Sequence, residues 1–390
     1  MMGPLSGLKV IEMAGLGPAP FCGMLLADLG AEVLSIQRVT SADLGFDVPT
    51  RYDLLNRNKQ ALAVDLKSPE GVKLVLELIR DSDLLIEGFR PGVMERLGLG
   101  PEPCMAANPG LIYGRMTGWG QTGPLAARAG HDINYIAMSG ALAAIGPSPD
   151  APPVVPLNYI GDFGGGALYL ALGLLAALRE RQQSGLGQVV DAAMVDGVGS
   201  LMTMHYGYWQ AGQWDLQRGS NTADGGSPWY TTYRTSDGGY MAVGAVEKRF
   251  YAELLSVLGL ADADLPDQND RAGWPRLRTA FAEVFATRTR DEWEAAFDGI
   301  DACVTPVLDM AEAPAHELAQ ARGSFLRGNG VIEPAPAPRF SRSTPAEVRP
   351  PPVAAQTGVS ALRQRGIGEG RIADLIRQGV VAGQIAVQEA

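Results

Sequence analysis

The chain has 390 residues, a length that favours two domains, or one large domain that carries an insertion. Its 46% of hydrophobic and 19% of charged residues are typical of a globular protein. The net charge of −11 repels phosphate and so excludes nucleic acid and anionic membrane as partners of the surface as a whole, although a small anion could bind a local basic pocket.

Three features bear on the compartment and on membranes. Cys22, Cys104 and Cys303 lie far apart, without the spacing of a metal site or the density of a disulfide framework, which predicts a reducing cytoplasm. The N-terminal MMGPLSGLKVIEM lacks the basic and apolar regions of a secretory signal. The longest apolar run, residues 167–178, is shorter than the ~18 residues of a membrane span, so it predicts a buried helix and no membrane span.

The first 120 residues alternate short apolar segments with segments of helical periodicity. Helices are predicted after Gly17 and after Ser68, which supplies an N-cap before Pro69. Strands are predicted at residues 8–13, 32–36, 62–66, 84–89 and 111–116. Because strands that alternate with such helices form βαβ units, the predicted fold class is α/β with a parallel sheet.

Basic residues follow several of these strands. Arg38 follows the second strand, Lys67 the third and Arg90 the fourth. Each alone could be a solvated surface charge. Parallel sheets bind ligands beyond the carboxyl ends of their strands, so the three together predict an edge that binds a phosphorylated ligand.

From about residue 225 the pattern becomes that of a smaller α+β domain. Residues 230–234 and 240–246 flank Asp237-Gly238 and predict a β-hairpin. Helices are predicted to follow at residues 249–258, 274–287 and 291–297.

The end of the chain is predicted to return to the first domain. Seven prolines between residues 333 and 352 indicate an extended segment, and residues 372–380 predict a terminal helix. The predicted division is residues 1–190 and 326–390 for the large domain, 191–224 for linker helices and 225–325 for the small domain.

Gly15 and Gly17 follow the first strand, as the glycines of a dinucleotide-binding loop do. Pro20 replaces the third glycine of that fingerprint, and Arg38 follows the second strand where an acid would bind a ribose. The motif therefore fails for NAD and predicts an ordinary turn of glycine and proline.

Two short motifs contain residues suited to acid/base chemistry. His131, in GHDINY, is one of only three histidines, although a single histidine is often a packing residue. Asp162, in NYIGDFGGG, precedes the apolar helix and could be an ordinary N-cap. The three glycines after it cost a helix about 1 kcal/mol each relative to alanine, which indicates that a ligand lies against the backbone there. Glu247, before a predicted helix, could equally be a first-turn acid.

Larger phrases of the chain point to a family. They are GMLLADLGAEVLSIQR, LIEGFRPGVMERLGLG, GRMTGWGQTGP, GHDINY, IGDFGGG, GQVVDAAMVDG and DGGSPWY. Together they resemble the α-methylacyl-CoA racemases, members of the family III CoA-transferase superfamily. The similarity extends over residues 3–345 and is weaker in the last 45 residues.

The resemblance implies a Rossmann-like large domain built from both chain ends, a small domain, and an interlocked homodimer. Each active site would lie between the large domain of one subunit and the small domain of the other. The resemblance also implies an isomerase of lipid metabolism that needs neither metal nor cofactor, since CoA is part of its substrate.

The resemblance also implies roles for individual residues. His131 and Asp162 match the family's two acid/base residues, and Glu247 matches a glutamate that supports the histidine from the partner subunit. The residues that match the CoA contacts are Arg38, Val64, Asp65, Leu66, Lys67, Gly88, Phe89, Arg90, Arg96, Gly130, Asp132, Ile133, Asn134 and Tyr135.

The predicted reaction interconverts (R)- and (S)-2-methylacyl-CoA thioesters through an enolate. It removes a proton from one face of C2 and returns one to the other, so two groups must flank the carbon. Free imidazole and carboxylate have pKa values of about 6.5 and 3.9, far below that of the C–H group, so the enolate oxygen needs stabilisation. Donors at the start of the glycine-rich helix could supply it, at ~3–4 kcal/mol for one donor.

Two other functions stay open on the sequence. A CoA-transferase of the same superfamily would use Asp162 as a nucleophile that forms an acyl-enzyme anhydride, with no need of His131. A catalytically silent acyl-CoA binder would keep Arg38 and Arg90. The presence of both His131 and Asp162 favours the racemase.

Overall fold

A computed structural model of the chain describes residues 3–39, 48–328, 330–345 and 347–382. The chain divides into two compact units. Unit 1 comprises Met1–Ser139, Leu157–Leu201 and Phe325–Ala390, and unit 2 comprises Gly140–Pro156 and Met202–Ser324.

These units differ from the predicted domains at residues 140–156 and along the whole predicted linker, residues 191–224, whose last part, residues 202–224, belongs to unit 2. Residues 140–156, predicted in the large domain, belong to unit 2, where Arg218 donates hydrogen bonds to the carbonyls of Pro149 (3.2 Å) and Ala151. Residues 191–201, predicted as linker, belong to unit 1 because they contain most of a sheet strand and the helix that follows it.

In chain order, the strands are β1 (Lys9–Met13), β2 (Glu32–Gln37), β3 (Gln60–Ala63), β4 (Leu84–Glu87), β5 (Ile112–Thr117), β6 (Val189–Ala193), β7 (Tyr230–Arg234), β8 (Tyr240–Gly244), β9 (Val304–Pro306), β10 (Phe325–Gly328) and β11 (Val331–Pro334). The α-helices are α1 (Pro18–Asp28), α2 (Pro69–Ile79), α3 (Val93–Arg96), α4 (Pro101–Ala107), α5 (Asp132–Met138), α6 (Leu168–Ser184), α7 (Met194–Leu201), α8 (Thr203–Gln210), α9 (Lys248–Val257), α10 (Trp274–Phe285), α11 (Arg290–Phe297), α12 (Glu317–Arg322), α13 (Ala354–Gln364) and α14 (Glu369–Arg377). A π-helix (Tyr159–Ala167) leads directly into α6.

Unit 1 is built on a parallel sheet with the strand order β3-β2-β1-β4-β5-β6, which confirms the predicted α/β class. The strands are apolar because both faces are covered. On β1, Ile11 pairs with Leu34 of β2 and Leu85 of β4, and all three side chains are buried. The sequence did not predict β6, whose five residues include the exposed Asp191.

Apolar clusters on the two faces of this sheet hold the helices in place. On one face Leu74 of α2, Leu362 of α13 and Leu375 of α14 pack together. On the other face Leu26 of α1 packs with Leu174 of α6. The predicted terminal helix at residues 372–380 therefore exists as α14, three residues earlier, and α13 before it was not predicted.

The apolar helix after Asp162 is only partly buried, so the expectation of a buried helix is wrong for one of its faces. Leu170 and Leu174 face the core, whereas Leu168 and Leu172 are 50% and 65% exposed. Together the π-helix and α6 form one helix of 26 residues, Tyr159–Ser184. It is long and apolar enough to cross a membrane, a test that core helices of soluble proteins also pass.

Unit 2 contains the antiparallel sheet β7-β8-β9, and the predicted hairpin is its first pair. Tyr233 of β7 stacks on Phe285 of α10, whose ring also contacts those of Trp293 and Phe297 of α11. The indole N–H of Trp293 donates to the carbonyl of Phe285 at 2.9 Å, so this buried polar group is satisfied.

Candidate active site

A cavity of about 720 Å³ opens beyond the carboxyl ends of β1, β4 and β5 in unit 1. His131 and Asp162 both line it. The other residues that line it are Leu16, Gly17, Pro18, Ala19, Leu55, Gly88, Phe89, Arg90, Pro91, Met116, Thr117, Gly118, Trp119, Ala126, Arg128, Ala129, Gly130, Tyr135, Asn158, Phe163 and Met194. The structure thus brings the imidazole of His131 and the carboxylate of Asp162 to one cavity.

His131 is the residue that precedes α5, and its backbone is extended with φ −133° and ψ 173°. Its peptide N–H donates to Oδ1 of Asn134 at 3.0 Å, which fixes the start of the helix. The side chain is exposed at the cavity wall. An exposed imidazole beside a cavity can exchange protons with a bound molecule.

The loop before His131 is held by an aromatic pair. Tyr135 meets Trp119 edge to face with ring centroids 4.8 Å apart, and its hydroxyl donates to the carbonyl of Gly130. A Cβ atom at Gly118 would lie 2.0 Å from the Tyr135 ring, so only glycine fits there. Burial, with the charge of Asp162, raises the pKa of Tyr135 to about 12, so its hydroxyl stays a proton donor at neutral pH.

Asp162 lies inside the π-helix and is not its N-cap, so the N-cap interpretation is wrong. Its carboxylate Oδ2 accepts a hydrogen bond from the Asn158 amide at 3.0 Å, and its peptide N–H donates to Oδ1 of Asp132 at 2.7 Å. Burial raises the pKa of Asp162, the Asp132 charge raises it further, and Asn158 and His131 oppose the rise. A carboxylate in this setting is a stronger base than one in water.

The glycines around Asp162 serve packing, and this corrects the expectation that they expose backbone to a ligand. A Cβ atom at Gly165 would lie 2.7 Å from Val198 of α7, and one at Gly166 would lie 2.9 Å from Met194. Gly197 of α7 packs against the same segment, because a Cβ atom there would lie 1.8 Å from the Gly165 carbonyl oxygen. The glycines let α7 approach the π-helix at backbone distance.

Gly17 also belongs to the site, although the sequence predicted an ordinary turn there. It precedes α1 with a positive φ of 67°, and a Cβ atom on it would lie 3.0 Å from Oδ2 of Asp162. The glycine after the first strand therefore contacts a residue of the candidate site, which the interpretation as an ordinary turn did not anticipate.

A buried ion pair shapes the loop after β4. Glu87 accepts from the peptide N–H of Phe89 at 2.7 Å and from Nε of Arg115 at 3.0 Å, and Arg115 also donates to Glu95 at 2.8 Å. Burial raises the pKa of Glu87 to about 7, against the opposing effects of the Phe89 amide and the Arg115 charge. The bonds fix the turn that brings Phe89 and Arg90 to the cavity.

The structure brings only some of the predicted CoA contacts to the cavity. Those that line it are Gly88, Phe89, Arg90, Gly130 and Tyr135. Those that do not are Arg38, Val64, Asp65, Leu66, Lys67, Arg96, Asp132, Ile133 and Asn134. Of these, Arg38, Lys67, Arg96, Ile133 and Asn134 are exposed, whereas Val64 and Asp132 are buried.

Glu247 lies in unit 2, where it is the exposed residue that precedes α9. Its backbone is extended, with φ −76° and ψ 146°, and it is the N-cap residue of α9. This agrees with the interpretation of Glu247 as an acid at the start of a helix. Its predicted support of His131 from the partner subunit stays a prediction.

Sequence reasoning did not single out several residues of the cavity wall. They are Leu16, Leu55, Trp119, Arg128, Asn158 and Phe163. Arg128 lies just before GHDINY, and Asn158 is the first residue of NYIGDFGGG, so proximity in sequence was an available signal for both. Across the part of the chain that the structure describes, no group of His, Cys, Asp and Glu is arranged to hold a metal ion.

The chain is similar to known proteins over most of its length. It matches CoA-transferase family III over residues 5–357. It is 47% identical over 380 residues to Alpha-methylacyl-CoA racemase of Mus musculus, with 97% of each chain covered. It is 47% identical over 345 residues to the protein of the same name from Homo sapiens, with 88% of this chain and 87% of that chain covered.

A solved structure, that of a CaiB/BaiF family protein from Brucella suis, is similar with a TM-score of 0.81 and 26% identity. That similarity covers 94% of this chain and 100% of the other. The resemblance drawn from the sequence motifs is confirmed, and the chain belongs to CoA-transferase family III.

Proposed function

We propose that the protein is an isomerase that interconverts the epimers of 2-methylacyl-CoA thioesters. The observation that carries this proposal is that His131 and Asp162 line one cavity at the carboxyl edge of the sheet. The identity of 47% to mammalian racemases over most of the chain supports the same reaction. A pair of unlike bases is what a two-base proton transfer at one carbon needs.

In the proposed reaction one of the two groups removes the C2 proton, and the C–H electrons move to the thioester oxygen to give an enolate. The other group, in its protonated form, then delivers a proton to the opposite face of C2. Burial raises the pKa of Asp162, which makes its carboxylate a stronger base for this step. The groups exchange roles between the two epimers.

The enolate oxygen needs a hydrogen-bond donor beside these groups. Removing one such donor typically costs about 10²–10³ in rate.

Several further properties belong to this proposal. We propose that the enzyme needs no cofactor, that Arg38, Lys67 and Arg90 contact the CoA phosphates, and that two chains form an interlocked dimer to which Glu247 contributes. We also propose a cytoplasmic location, which the free cysteines support. Sedimentation of the purified protein tests the dimer, and a monomer of full activity would contradict it.

The test of the reaction is deuterium uptake at C2. One epimer of a 2-methylacyl-CoA in D₂O should gain deuterium and give the other epimer, and His131→Ala and Asp162→Asn should each lower the rate by about 10²–10⁴. His316→Gln is the matched control, because that histidine pairs with Glu294 in unit 2 at 2.7 Å. Absence of exchange in the native protein would refute the proposal.

The family match supports one alternative, a CoA-transferase with Asp162 as nucleophile. Its carboxylate would attack the thioester carbonyl and release CoA as the thiol, leaving an anhydride. That reaction moves CoA to an added carboxylic acid, leaves C2 unlabelled and does not depend on His131. Measuring both deuterium uptake at C2 and CoA transfer in the same sample decides between the racemase and the CoA-transferase.

A further inference from the structure

We propose that Asp132 is a positioning residue, which joins the helix starts that carry His131 and Asp162 and keeps Asp162 a strong base. The inference rests on the proposed function for its catalytic meaning, but its physical content can be measured without any reaction. It also gives Asp132 a role other than the CoA contact that the sequence predicted.

The first observation is a hydrogen bond between the two acid/base motifs. Oδ1 of Asp132 accepts the peptide N–H of Asp162 at 2.7 Å, across 30 positions of sequence. Asp132 is the residue directly after His131, so a hydrogen bond that fixes Asp132 also restricts where the backbone of His131 lies. One carboxylate therefore sets the spacing of the two groups that must flank the reacting carbon.

The second observation is a place made for this carboxylate. A Cβ atom at Gly161 would lie 2.5 Å from Oδ1 of Asp132 and 3.2 Å from its Cα atom. Asp132 is only 5% exposed and does not line the cavity. Gly161, the first glycine of IGDFGGG, therefore leaves room for the buried carboxylate of Asp132 next to Asp162. This close packing explains why the residue is glycine, which ligand binding does not.

The third observation is an unpaired oxygen. Oδ2 of Asp132 is buried without a hydrogen-bond partner among the described residues. Leaving a buried charged oxygen unpaired costs stability, and such sites in native proteins call for a functional reason. The reason we infer is electrostatic, because an unneutralised carboxylate next to Asp162 disfavours the anion of Asp162.

The charges around Asp162 agree with this. Burial is the largest cause that raises its pKa, the Asp132 charge adds to it, and His131 lowers it. Tyr135, also on α5, interacts with Asp162 and remains neutral. The residues of α1 and α7 that contact the π-helix include Pro18, Phe21, Met194, Gly197, Val198 and Leu201, and none of them titrates. Asp132 is thus the one anion shown to act on Asp162 within the described chain.

The direct test is the titration of the Asp162 carboxyl group, followed by carbon NMR in the full-length protein with labelled aspartate. Asp162→Asn identifies the signal. In Asp132→Asn, which keeps an oxygen to accept the Asp162 N–H and keeps the shape, the pKa of Asp162 should fall. An unchanged titration in a folded Asp132→Asn protein overturns the proposal.

Kinetics give the second readout. In Asp132→Asn the acid limb of the pH profile for deuterium uptake should move to lower pH, with the plateau rate lowered roughly threefold by the weaker base. Gly161→Ala should reduce the rate further, because its Cβ atom displaces the carboxylate. A loss of rate without any movement of the pH profile would mean a purely structural role and would also overturn the proposal.

A matched control is Asp191→Asn. The exposed Asp191 also accepts a peptide N–H from a distant residue, Gln121, at 3.3 Å, and it does not line the cavity. Its replacement should leave both the Asp162 titration and the pH profile unchanged. If the native protein shows no deuterium uptake, the proposed function fails, whereas the NMR titration still decides the role of Asp132.

Discussion

Gly17 lies against the carboxylate of Asp162, although the two residues belong to motifs that are far apart in the sequence. A Cβ atom on Gly17 would lie 3.0 Å from Oδ2 of Asp162, and the backbone of Gly17 has a positive φ of 67°. The turn after β1 therefore closes one side of the acid/base site.

Replacing Gly17 with alanine should damage catalysis. The added methyl group pushes on Asp162, and a backbone with φ 67° and ψ −115° is strained for an L-residue, at a cost of roughly 1–3 kcal/mol. A shift of the carboxylate by about 1 Å can lower the rate about 10²-fold. We expect kcat to fall by that order, as measured by deuterium uptake at C2.

Gly15→Ala is the control for this change. A Cβ atom at Gly15 would meet nothing nearer than the Met13 carbonyl oxygen at 4.0 Å. The variant should keep native kcat and a native melting temperature. Equal losses in both variants would show that the turn is sensitive as a whole and would contradict a specific contact with Asp162.

The sheet could be predicted from the sequence because its strands are buried on both faces. Ile11, Leu34 and Leu85 lie in runs whose apolar character does not depend on any distant contact. The missed strand β6 contains Asp191, and only its pairing with β5 makes it a strand. The local sequence pattern is sufficient to predict the central strands of the sheet but not the edge strand β6.

The candidate site could be predicted only in part. The motif resemblance identified His131 and Asp162, but it could not show that Asp162 lies in a π-helix, since the sequence pattern there is also that of an N-cap. The contacts of Gly17 and Gly161 join segments distant in sequence, and a single sequence has no signal for such pairs. The roles of these glycines therefore required coordinates.

Asn158 should set the pKa of Asp162 in the direction opposite to Asp132. Its amide donates to Oδ2 of Asp162 at 3.0 Å and favours the anion. In Asn158→Ala the pKa of Asp162 should rise further, so the acid limb of the pH profile for deuterium uptake should move to higher pH. Asn269→Ala, at an exposed position of unit 2, should leave the profile unchanged.

A profile of Asn158→Ala that moves to lower pH would contradict this assignment of the hydrogen bond. The double variant with Asp132→Asn adds a sharper test, because the two changes act on one carboxylate with opposite sign. Its acid limb should lie between those of the single variants.

Glu87 should control substrate affinity more than turnover. The Phe89 amide and Arg115 donate to different oxygens of Glu87, and glutamine replaces one of these oxygens with an NH2 group that only donates, so the turn that presents Arg90 should loosen. In Glu87→Gln we expect KM for the acyl-CoA to rise with a smaller change in kcat. Glu102→Gln, at an exposed position of α4, should change neither, and a fall in kcat at constant KM would refute this role.

The same variant should alter the pH dependence of stability. Burial raises the pKa of Glu87 from 4.5 to about 7, so its contribution to stability is fully present below about pH 4.5 and is lost as the pH rises through about 7. Glutamine does not ionise. The melting temperature of Glu87→Gln relative to the native protein should therefore rise between pH 4.5 and 8, and a difference that stays constant would contradict the shift.

Two glycines of α7 should respond to alanine in opposite ways. At Gly197 a Cβ atom would lie 1.8 Å from the Gly165 carbonyl oxygen, whereas at Gly199 nothing lies within 4 Å. Gly197→Ala must separate α7 from the π-helix, which costs about 1–3 kcal/mol or more. Gly199→Ala gains up to about 1 kcal/mol of helix propensity. Thermal unfolding should show a lower melting temperature for the first and an equal or higher one for the second.

Because the π-helix carries Asp162, the Gly197→Ala variant should also lose deuterium uptake. A stable, active Gly197→Ala protein would refute the close packing of these helices.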